Sequence, residues 1–338
     1  MIRRIGQRTL QLENRPFLLA HAAAVGKKEG EGPLGAQFDF VTEDDRMGQK
    51  SWELAESELQ KTAIETALNK AGLQKSDLDM ILAGDLLNQC IGSFLASMQS
   101  DVPYLGQYGA CSTMAQGLAL GACLVEGGAA RRLVASASSH FCSAERQYRF
   151  PLAYGGQRTP TAQWTATAAG AAVLGGQWSG HIRITHALFG KMVEMGVKDA
   201  NNMGAAMAPA AYDTLSALLA DLGAQPKDFD CIVTGDLGHV GADILLTLLR
   251  EDKIDLSPVY SDCGSLLFGD GQDAHAGGSG CGCSAAVLCG PLLRDMQAGK
   301  IRRLVFAGTG AMMSPTSVQQ GQPIAGICHA VVIERSGA

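Results

Sequence analysis

The sequence predicts an α/β protein built from two duplicated halves. Three observations predict this class: an internal repeat, a recurring alternation of apolar strands with helices, and two segments that are apolar on every side of a helix. Apolar strands that alternate with helices are typical of a mostly parallel sheet covered by helices. The chain has 338 residues, 46% of them hydrophobic, which is enough for one large core or two fused cores.

The internal repeat defines the two halves. The segment QKSDLDMILAGDL (74–86) aligns without a gap on QPKDFDCIVTGDL (225–237), with seven of thirteen positions identical. Three further blocks recur in the same order, pairing 15–28 with 181–194, 130–140 with 301–311, and 168–175 with 326–334. Similar blocks in the same order indicate duplication of one structural unit. We therefore predict an N-terminal half at 1–178 and a C-terminal half at 179–338.

An amphipathic helix is predicted early in the first half. In SWELAESELQKTAIETALNKAGL (51–73) the apolar residues recur at helical spacing along one face. Ser51 is a suitable N-cap, and Gly72 suits the position just after the last turn. This helix is expected to cover one face of the sheet.

Two further helices are predicted to be buried. Residues 112–128 are apolar almost all round, with Gly117 and Gly121 four positions apart, and residues 283–299 are similar. A helix without a polar face must be buried on all sides, and glycines at this spacing allow another backbone to approach closely. We predict that these two helices pack against each other in a central layer, with a sheet on either side.

Composition excludes several classes of protein. A net charge of −6 with scattered basic residues argues against a nucleic-acid partner. We find neither a signal peptide nor an uncharged apolar run of about 18 residues, so any membrane association is expected to be peripheral. The ten cysteines include no C-x-x-C pair, which favours buried thiols in a reducing compartment over zinc ligands or disulfides. No metal or cofactor is predicted.

Cys111 lies where the first buried helix begins, in the stretch QYGACSTMAQGLALG (107–121). Unpaired N–H groups and the helix dipole at such a position lower the pKa of a thiol and favour its thiolate. Two interpretations are open. Cys111 is either a nucleophile or the floor of a pocket that now serves another purpose.

Three motifs resemble those of the thiolase and β-ketoacyl synthase superfamily. The segment that begins with Cys111 is similar to its nucleophile segment. DAHAGGSGCGCSAA (273–286) resembles its C-terminal glycine-rich loop, with His275 at the histidine, and FAGTGAMM (306–313) resembles the last loop, whose backbone N–H helps form an oxyanion hole. The resemblance implies a thiolase-like five-layered αβαβα fold. In an enzyme of this kind, Cys111 would take an acyl group from a thioester, and His275 would stabilise charge or move protons.

One catalytic position of the condensing enzymes is missing. They need a second histidine, or an Asn-Glu element, in the loop that here reads IVTGDLGHVGAD and places Gly235 or Asp236 there. Glycine carries out no acid–base chemistry, and an ionised aspartate would repel a developing enolate. The same Gly-Asp-Leu follows the equivalent strand of the first half, which favours a structural turn or helix cap. His239 is better interpreted as an exposed helical residue than as a substitute.

Residues 136–170 combine cations, aromatic rings and amide groups more densely than any other segment. This segment is either a solvated loop or the roof of the pocket at Cys111. As a roof it would suit a planar anion, because arginine forks match carboxylates and aromatic rings stack on a flat ligand. The candidate ligand-binding residues are Cys111, Ser138, His140, Arg146, Arg149, Arg158, Trp164 and His275.

The motif SSHFCSAERQYRFPLAYGGQRTPTAQWT (138–165) resembles the stage V sporulation protein AD family, and so does DDRMGQKSWELAESELQ (44–60). This resemblance implies a non-catalytic protein that binds dipicolinic acid, or its calcium chelate, and aids its uptake into the developing spore. It also implies membrane-protein partners of the same uptake system, a peripheral location on the cytoplasmic face of the forespore or spore inner membrane, and a homodimer. Arg149 and Arg158 are then expected to recognise the carboxylates. The alternative is a thioester-dependent acyltransferase or condensing enzyme that uses Cys111.

Overall fold

The computed structural model describes residues 1–14, 16–98, 100–149, 157–176 and 181–336, except the side chains of residues 148 and 149. Within these residues the strands are β1 (Ile2–Ile5), β2 (Thr9–Leu12), β3 (Phe17–Val25), β4 (Phe40–Val41), β5 (Met80–Gly84), β6 (Tyr104–Gly106), β7 (Arg132–Ser139), β8 (Trp164–Thr165), β9 (Ala168–Gly175), β10 (Ile182–Leu188), β11 (Cys231–Thr234), β12 (Tyr260–Asp262), β13 (Gly278–Ser279), β14 (Arg303–Met312) and β15 (Ala325–Arg335). The α-helices are α1 (Lys27–Gly30), α2 (Trp52–Ala71), α3 (Ile91–Ser97), α4 (Thr113–Glu126), α5 (Phe141–Ala144), α6 (Met203–Leu222), α7 (Gly238–Glu251), α8 (Cys263–Leu267), α9 (Cys281–Val287), α10 (Leu293–Gln297) and α11 (Pro315–Gln319).

The main sheet has the strand order β12-β11-β14-β15-β10-β3-β9-β7-β5-β6. Read from either outer edge toward the centre, each half has two parallel pairs followed by two antiparallel pairs. The halves meet where Arg183 of β10 pairs with Phe17 of β3. The prediction of a mostly parallel sheet is therefore wrong. Parallel neighbours need a crossover, and β14 returns to β15 through a short connection whose helix has only five residues.

The predicted central layer is confirmed. Helix α4 packs against α9 and contacts β7 of the first half and β14 and β15 of the second. The second buried helix is not continuous, however, because Pro291 lies within it and the segment Leu288–Leu292 is π-helical. Proline removes a backbone donor and disrupts the regular ladder. A Cβ atom on Gly121 would lie 2.8 Å from the Leu133 side chain. The missing side chain of Gly121 therefore leaves room for β7 rather than for α9.

Local structure is duplicated along with the sequence. Helix α2 has Ser51 as its N-cap, as predicted, and both α2 and α6 end at a left-handed glycine, Gly72 and Gly223. After each helix an aspartate accepts hydrogen bonds from two successive backbone N–H groups, Asp79 in the first half and Asp230 in the second. These parallels support the predicted halves. The boundary at 178/179 stays a prediction, since residues 177–180 lie outside the described part of the chain.

All ten cysteines lie in the described ranges, and none forms a disulfide; seven of them are buried. No helix among the described residues is long and apolar enough to cross a membrane. Those residues also contain no group of three or more His, Cys, Asp and Glu side chains arranged to hold a metal ion.

Candidate functional site

Cys111 is held at a tight turn just before α4. Ala110 has a φ of +47°, a left-handed conformation that costs a residue other than glycine on the order of 1 kcal/mol. The turn leaves Cys111 only 6% exposed. Strand β14 passes so close that a Cβ atom on Gly310 would lie 2.5 Å from the Gly109 carbonyl oxygen. The placement of Cys111 beside the last glycine-rich loop agrees with the geometry that the sequence motifs predict.

The side chain that faces Cys111 is Asp236. Its carboxylate accepts a hydrogen bond from the Cys111 thiol, from the backbone N–H of Gly280 at 2.8 Å and from the Thr309 hydroxyl at 2.9 Å. Asp236 is completely buried. Burial is the largest influence on this carboxyl and raises its pKa to about 7. A titratable group therefore does occupy the position where the sequence suggested that acid–base chemistry was lost.

The two copies of the Gly-Asp-Leu turn have different roles. In the first half, Asp85 accepts hydrogen bonds from the backbone N–H groups of Leu87 and Ser93, as predicted for a structural turn. In the second half Asp262 accepts hydrogen bonds from the backbone N–H groups of Leu237 and Gly238, and Gly238 is the residue equivalent to Leu87. The prediction of a structural Gly-Asp-Leu turn is therefore confirmed for Asp85, whereas Asp236 does not cap its own turn and instead binds Gly280 and Thr309. The repeat could not reveal this, because Asp262 lies on a different strand.

The cavity beside Cys111 is small. It measures about 20 Å³ and is lined chiefly by apolar side chains, namely Leu86, Tyr108, Ala110, Met203, Ala311 and Met313. This volume holds about one water molecule. A thioester or an aromatic dicarboxylate would enter only after the cavity widened, for example by rotation of its two methionines.

A second cluster gathers cations around Trp164. The Phe141 ring stacks on Trp164 with a centroid distance of 3.9 Å and an angle of 9°. The Lys28 ammonium lies 3.7 Å from the Trp164 ring centroid, and the Arg158 guanidinium carbon lies 4.8 Å from it. Because Phe141 covers one face, both cations are on the other. Burial and the adjacent Arg158 charge lower the pKa of Lys28. Sequence reasoning missed Lys28, which lies far from residues 136–170 along the chain.

Arg158 is paired with a carboxylate on the surface. Its guanidinium lies 2.9 Å from Asp273, whose side chain is 72% exposed whereas that of Arg158 is 12% exposed. Arg158 lowers the pKa of Asp273. The Nη1 atom of Arg158 is buried without a hydrogen-bond partner among the described residues. Within the described part of the chain Arg158 thus has an unused donor, and its carboxylate partner is largely exposed to solvent.

His275 belongs to this second cluster. Its Nε2 atom is 2.9 Å from Asp273 and its Nδ1 atom is 2.8 Å from the Thr159 carbonyl oxygen. Its φ of +52° is left-handed. The loop that carries His275 continues into β13, which pairs with β8 at Trp164, and then reaches Gly280 beside Asp236. One loop therefore positions both the cation cluster and the Cys111–Asp236 pair.

Other predicted residues have internal partners. The Ser138 hydroxyl donates to the buried Glu56 at 3.1 Å, and His140 contacts the Asp45 carbonyl oxygen at 2.9 Å. His140 also caps α5 by accepting from the Cys142 N–H. His140 thereby helps to fix α5, which carries Phe141, and Glu56, the partner of Ser138, also accepts from the Ser143 hydroxyl of that helix at 2.7 Å. Arg146 is exposed. The side chain of Arg149 lies outside the described part of the structure.

Comparison with known proteins agrees with this architecture. A family model described as stage V sporulation protein AD matches residues 6–334. The stage V sporulation protein AD of Bacillus subtilis (strain 168) is 43% identical over 332 residues, which cover 98% of each chain. Among solved structures, 3-oxoacyl-[acyl-carrier-protein] synthase III from Aquifex aeolicus VF5 has a TM-score of 0.59 at 14% identity, covering 94% of this chain and 99% of that one. Human mitochondrial 3-ketoacyl-CoA thiolase has a TM-score of 0.59 at 12% identity, covering 96% and 99%. These structures establish a thiolase-like fold.

Proposed function

The chain belongs to the stage V sporulation protein AD family, and from that premise we propose that it binds dipicolinic acid and aids its uptake into the developing spore without catalysing a reaction. The ligand enters either as the free acid or as its calcium chelate. Dipicolinate is a flat ring with two carboxylates beside the ring nitrogen. Its recognition requires two cationic groups near each other and a surface that leaves the ring unhindered.

The observation that carries this proposal is the pair of cations on Trp164. Lys28 and Arg158 share one face of that ring, so two carboxylates of one small ligand can reach both. Arg158 would exchange the exposed Asp273 for a ligand carboxylate and use its Nη1 donor, which has no partner among the described residues. Both faces of Trp164 are already covered, one by Phe141. The ligand ring therefore lies beyond the cations rather than stacked on Trp164.

The carboxyl of Glu29, the next residue along the chain, contributes little negative charge near Lys28. Glu29 is fully buried, and burial raises its pKa to about 8, so it is mostly neutral at pH 7. Lys28 therefore has no anionic neighbour at that position and attracts a ligand carboxylate more strongly. The same protonation would be lost in alkaline solution, where an ionised Glu29 would compete with the ligand.

The competing function is thioester-dependent acyl transfer by Cys111. It is favoured by the strained turn at Ala110 that places this thiol before α4. It is opposed by the hydrogen bond to Asp236, since a carboxylate next to a thiol disfavours the thiolate, and by the cavity of about 20 Å³. Intact-mass measurement after incubation with several acyl-CoAs separates the two functions. A mass gain that the Cys111→Ser variant lacks would establish acyl transfer.

Partners and location follow from the family and are also proposals. The protein would act at the cytoplasmic face of the forespore or spore inner membrane, as a peripheral protein, with membrane proteins of the same uptake system. A homodimer is supported by the outer edge of the first half. There β6 pairs with β5 alone among the described strands, and exposed apolar side chains surround it, namely Phe94, Met98, Leu105 and Tyr108. An open strand edge with such a patch is suited to self-association.

Equilibrium dialysis tests the proposed ligand. We expect saturable binding of one dipicolinate per chain, and weaker binding of benzene-1,3-dicarboxylate if the ring nitrogen or its chelated calcium is recognised. Repeating the dialysis with and without calcium distinguishes the chelate from the free acid. Absence of saturable dipicolinate binding under both conditions would contradict the proposal.

A further inference from the structure

A large cleft lies far from the cation cluster and Cys111. It has a volume of about 810 Å³, and its lining includes Asn14, Phe17, Val125, Arg131, Arg132 and Arg183. Cys111 precedes the first residue of α4, whereas Val125 is at the other end of this fourteen-residue helix, about 21 Å away along its axis. The cleft is therefore separate from the candidate site described above.

The arginines of the cleft differ in their hydrogen-bond and ion-pair partners. The Arg183 guanidinium carbon lies 4.2 Å from the Phe17 ring centroid, and its Nε atom is buried without a hydrogen-bond partner among the described residues. Arg131 is paired with Asp79 at 2.9 Å. For Arg132 the described residues provide no ion pair. Asp77 is the acidic side chain of the lining, and its carboxylate already accepts from the Gln74 N–H.

In the second half, the arginine equivalent to Arg132 is neutralised by a carboxylate of the same half. Arg303 occupies the position of Arg132 in the repeat. It faces Glu334 across β14 and β15, and its Nε atom donates to that carboxylate at 3.0 Å. Arg132 faces Gly175 across β7 and β9. The first half thus keeps the cation but lacks the carboxylate that neutralises it in the second half.

From this geometry we propose that the cleft binds an organic phosphate. The phosphate lies between Arg132 and Arg183, and the apolar part of the ligand contacts Phe17 and Val125. A phosphate offers three oxygens to two guanidinium forks, whereas one carboxylate fills a single fork. The volume of about 810 Å³ indicates a ligand larger than the inorganic ion. A soluble phosphate ester and a phospholipid headgroup share this chemistry.

Calorimetric titration with phenyl phosphate and sedimentation with phosphatidylglycerol vesicles test the two sources. Arg132→Gln is the test variant because Arg132 is exposed. Arg302→Gln is the matched control, since Arg302 is exposed at the equivalent turn of the second half. We expect Arg132→Gln to weaken binding at least about tenfold and Arg302→Gln to leave it unchanged.

Each outcome decides the proposal. Saturable phenyl phosphate binding that is lost in Arg132→Gln identifies a soluble ester site, and the same pattern with vesicles alone identifies a headgroup site. Failure of both probes to bind, or an equal effect of the two variants, would overturn it. Dipicolinate binding is measured in parallel. Arg132→Gln should leave it unchanged, so this site and the proposed function can fail independently.

Discussion

The Cys111 thiol donates a hydrogen bond to the carboxylate of Asp236, a completely buried residue from the other half of the chain. The pair joins the two halves at the centre of the fold. Two neighbouring groups that both become negative on ionisation oppose each other's loss of a proton. A thiol in this setting loses its proton less readily, which argues against a nucleophilic role for Cys111.

Replacing Asp236 should make Cys111 more reactive. In Asp236→Asn the neighbouring charge is gone, so the thiolate forms more readily and we expect iodoacetamide to modify Cys111 roughly tenfold faster at pH 8. The ratio should shrink at pH 6, because Asp236 is then mostly protonated in the unmodified protein. Peptide mapping by mass spectrometry measures the rate, with the half-buried Cys142 as internal reference. Equal Cys111 rates in the two proteins would refute this description of the pair.

Glu29 should make stability depend on pH. It is fully buried, its Oε1 atom accepts from the Thr167 N–H, and burial raises its pKa to about 8. Between its unfolded pKa and this value the folded protein holds a proton that the unfolded chain releases, so stability falls as pH rises. Relative to the unmodified protein, Glu29→Gln should gain about 1.4 kcal/mol in free energy of unfolding per pH unit from pH 5.5 to 7.5.

Urea denaturation at several pH values measures this difference. Glu31→Gln is the control variant, because it removes an exposed carboxyl two positions along the chain. A difference between Glu29→Gln and the unmodified protein that stays constant with pH would show that Glu29 is ionised in the folded state.

The outer edge strand should govern association. Leu105 lies on β6 and is 47% exposed, and a lysine there places a charge on the edge that the proposed dimer would bury. We expect the unmodified chain to sediment at twice its mass of 35.3 kDa and Leu105→Lys to sediment as a single chain. Met195→Lys, which changes an exposed apolar side chain of the second half, should leave the dimer intact. A dimer that survives Leu105→Lys would exclude this edge as the interface.

Local sequence signals were sufficient for much of the fold. Ser51 and Gly72 predicted both ends of α2 because capping depends on residues within a few positions of the helix end. The apolar character of residues 112–128 and 283–299 likewise predicted the central pair of helices. The direction of β9 and β15 was not predictable, since strand direction depends on how the connections return. Pro291 was the available signal for the interruption of the second central helix.

The candidate site was harder to predict because its contacts join distant segments. Lys28 reaches Trp164 from α1, and no pattern within residues 136–170 indicates that neighbour. For Asp236 the sequence favours a structural turn, because the same Gly-Asp-Leu follows the equivalent strand of the first half. The structure shows that Asp262 on β12, rather than Asp236, binds the backbone N–H groups of this turn.

The most direct test of the proposed function is calorimetric titration of dipicolinate into the Arg158→Gln and Arg303→Gln variants. The two arginines are matched, because each lies near an aromatic ring, Trp164 or Phe229, and each pairs with a carboxylate. If Arg158 recognises the ligand, dipicolinate affinity falls at least about tenfold in Arg158→Gln and stays unchanged in Arg303→Gln. Equal affinity in Arg158→Gln and the unmodified protein would contradict the central claim.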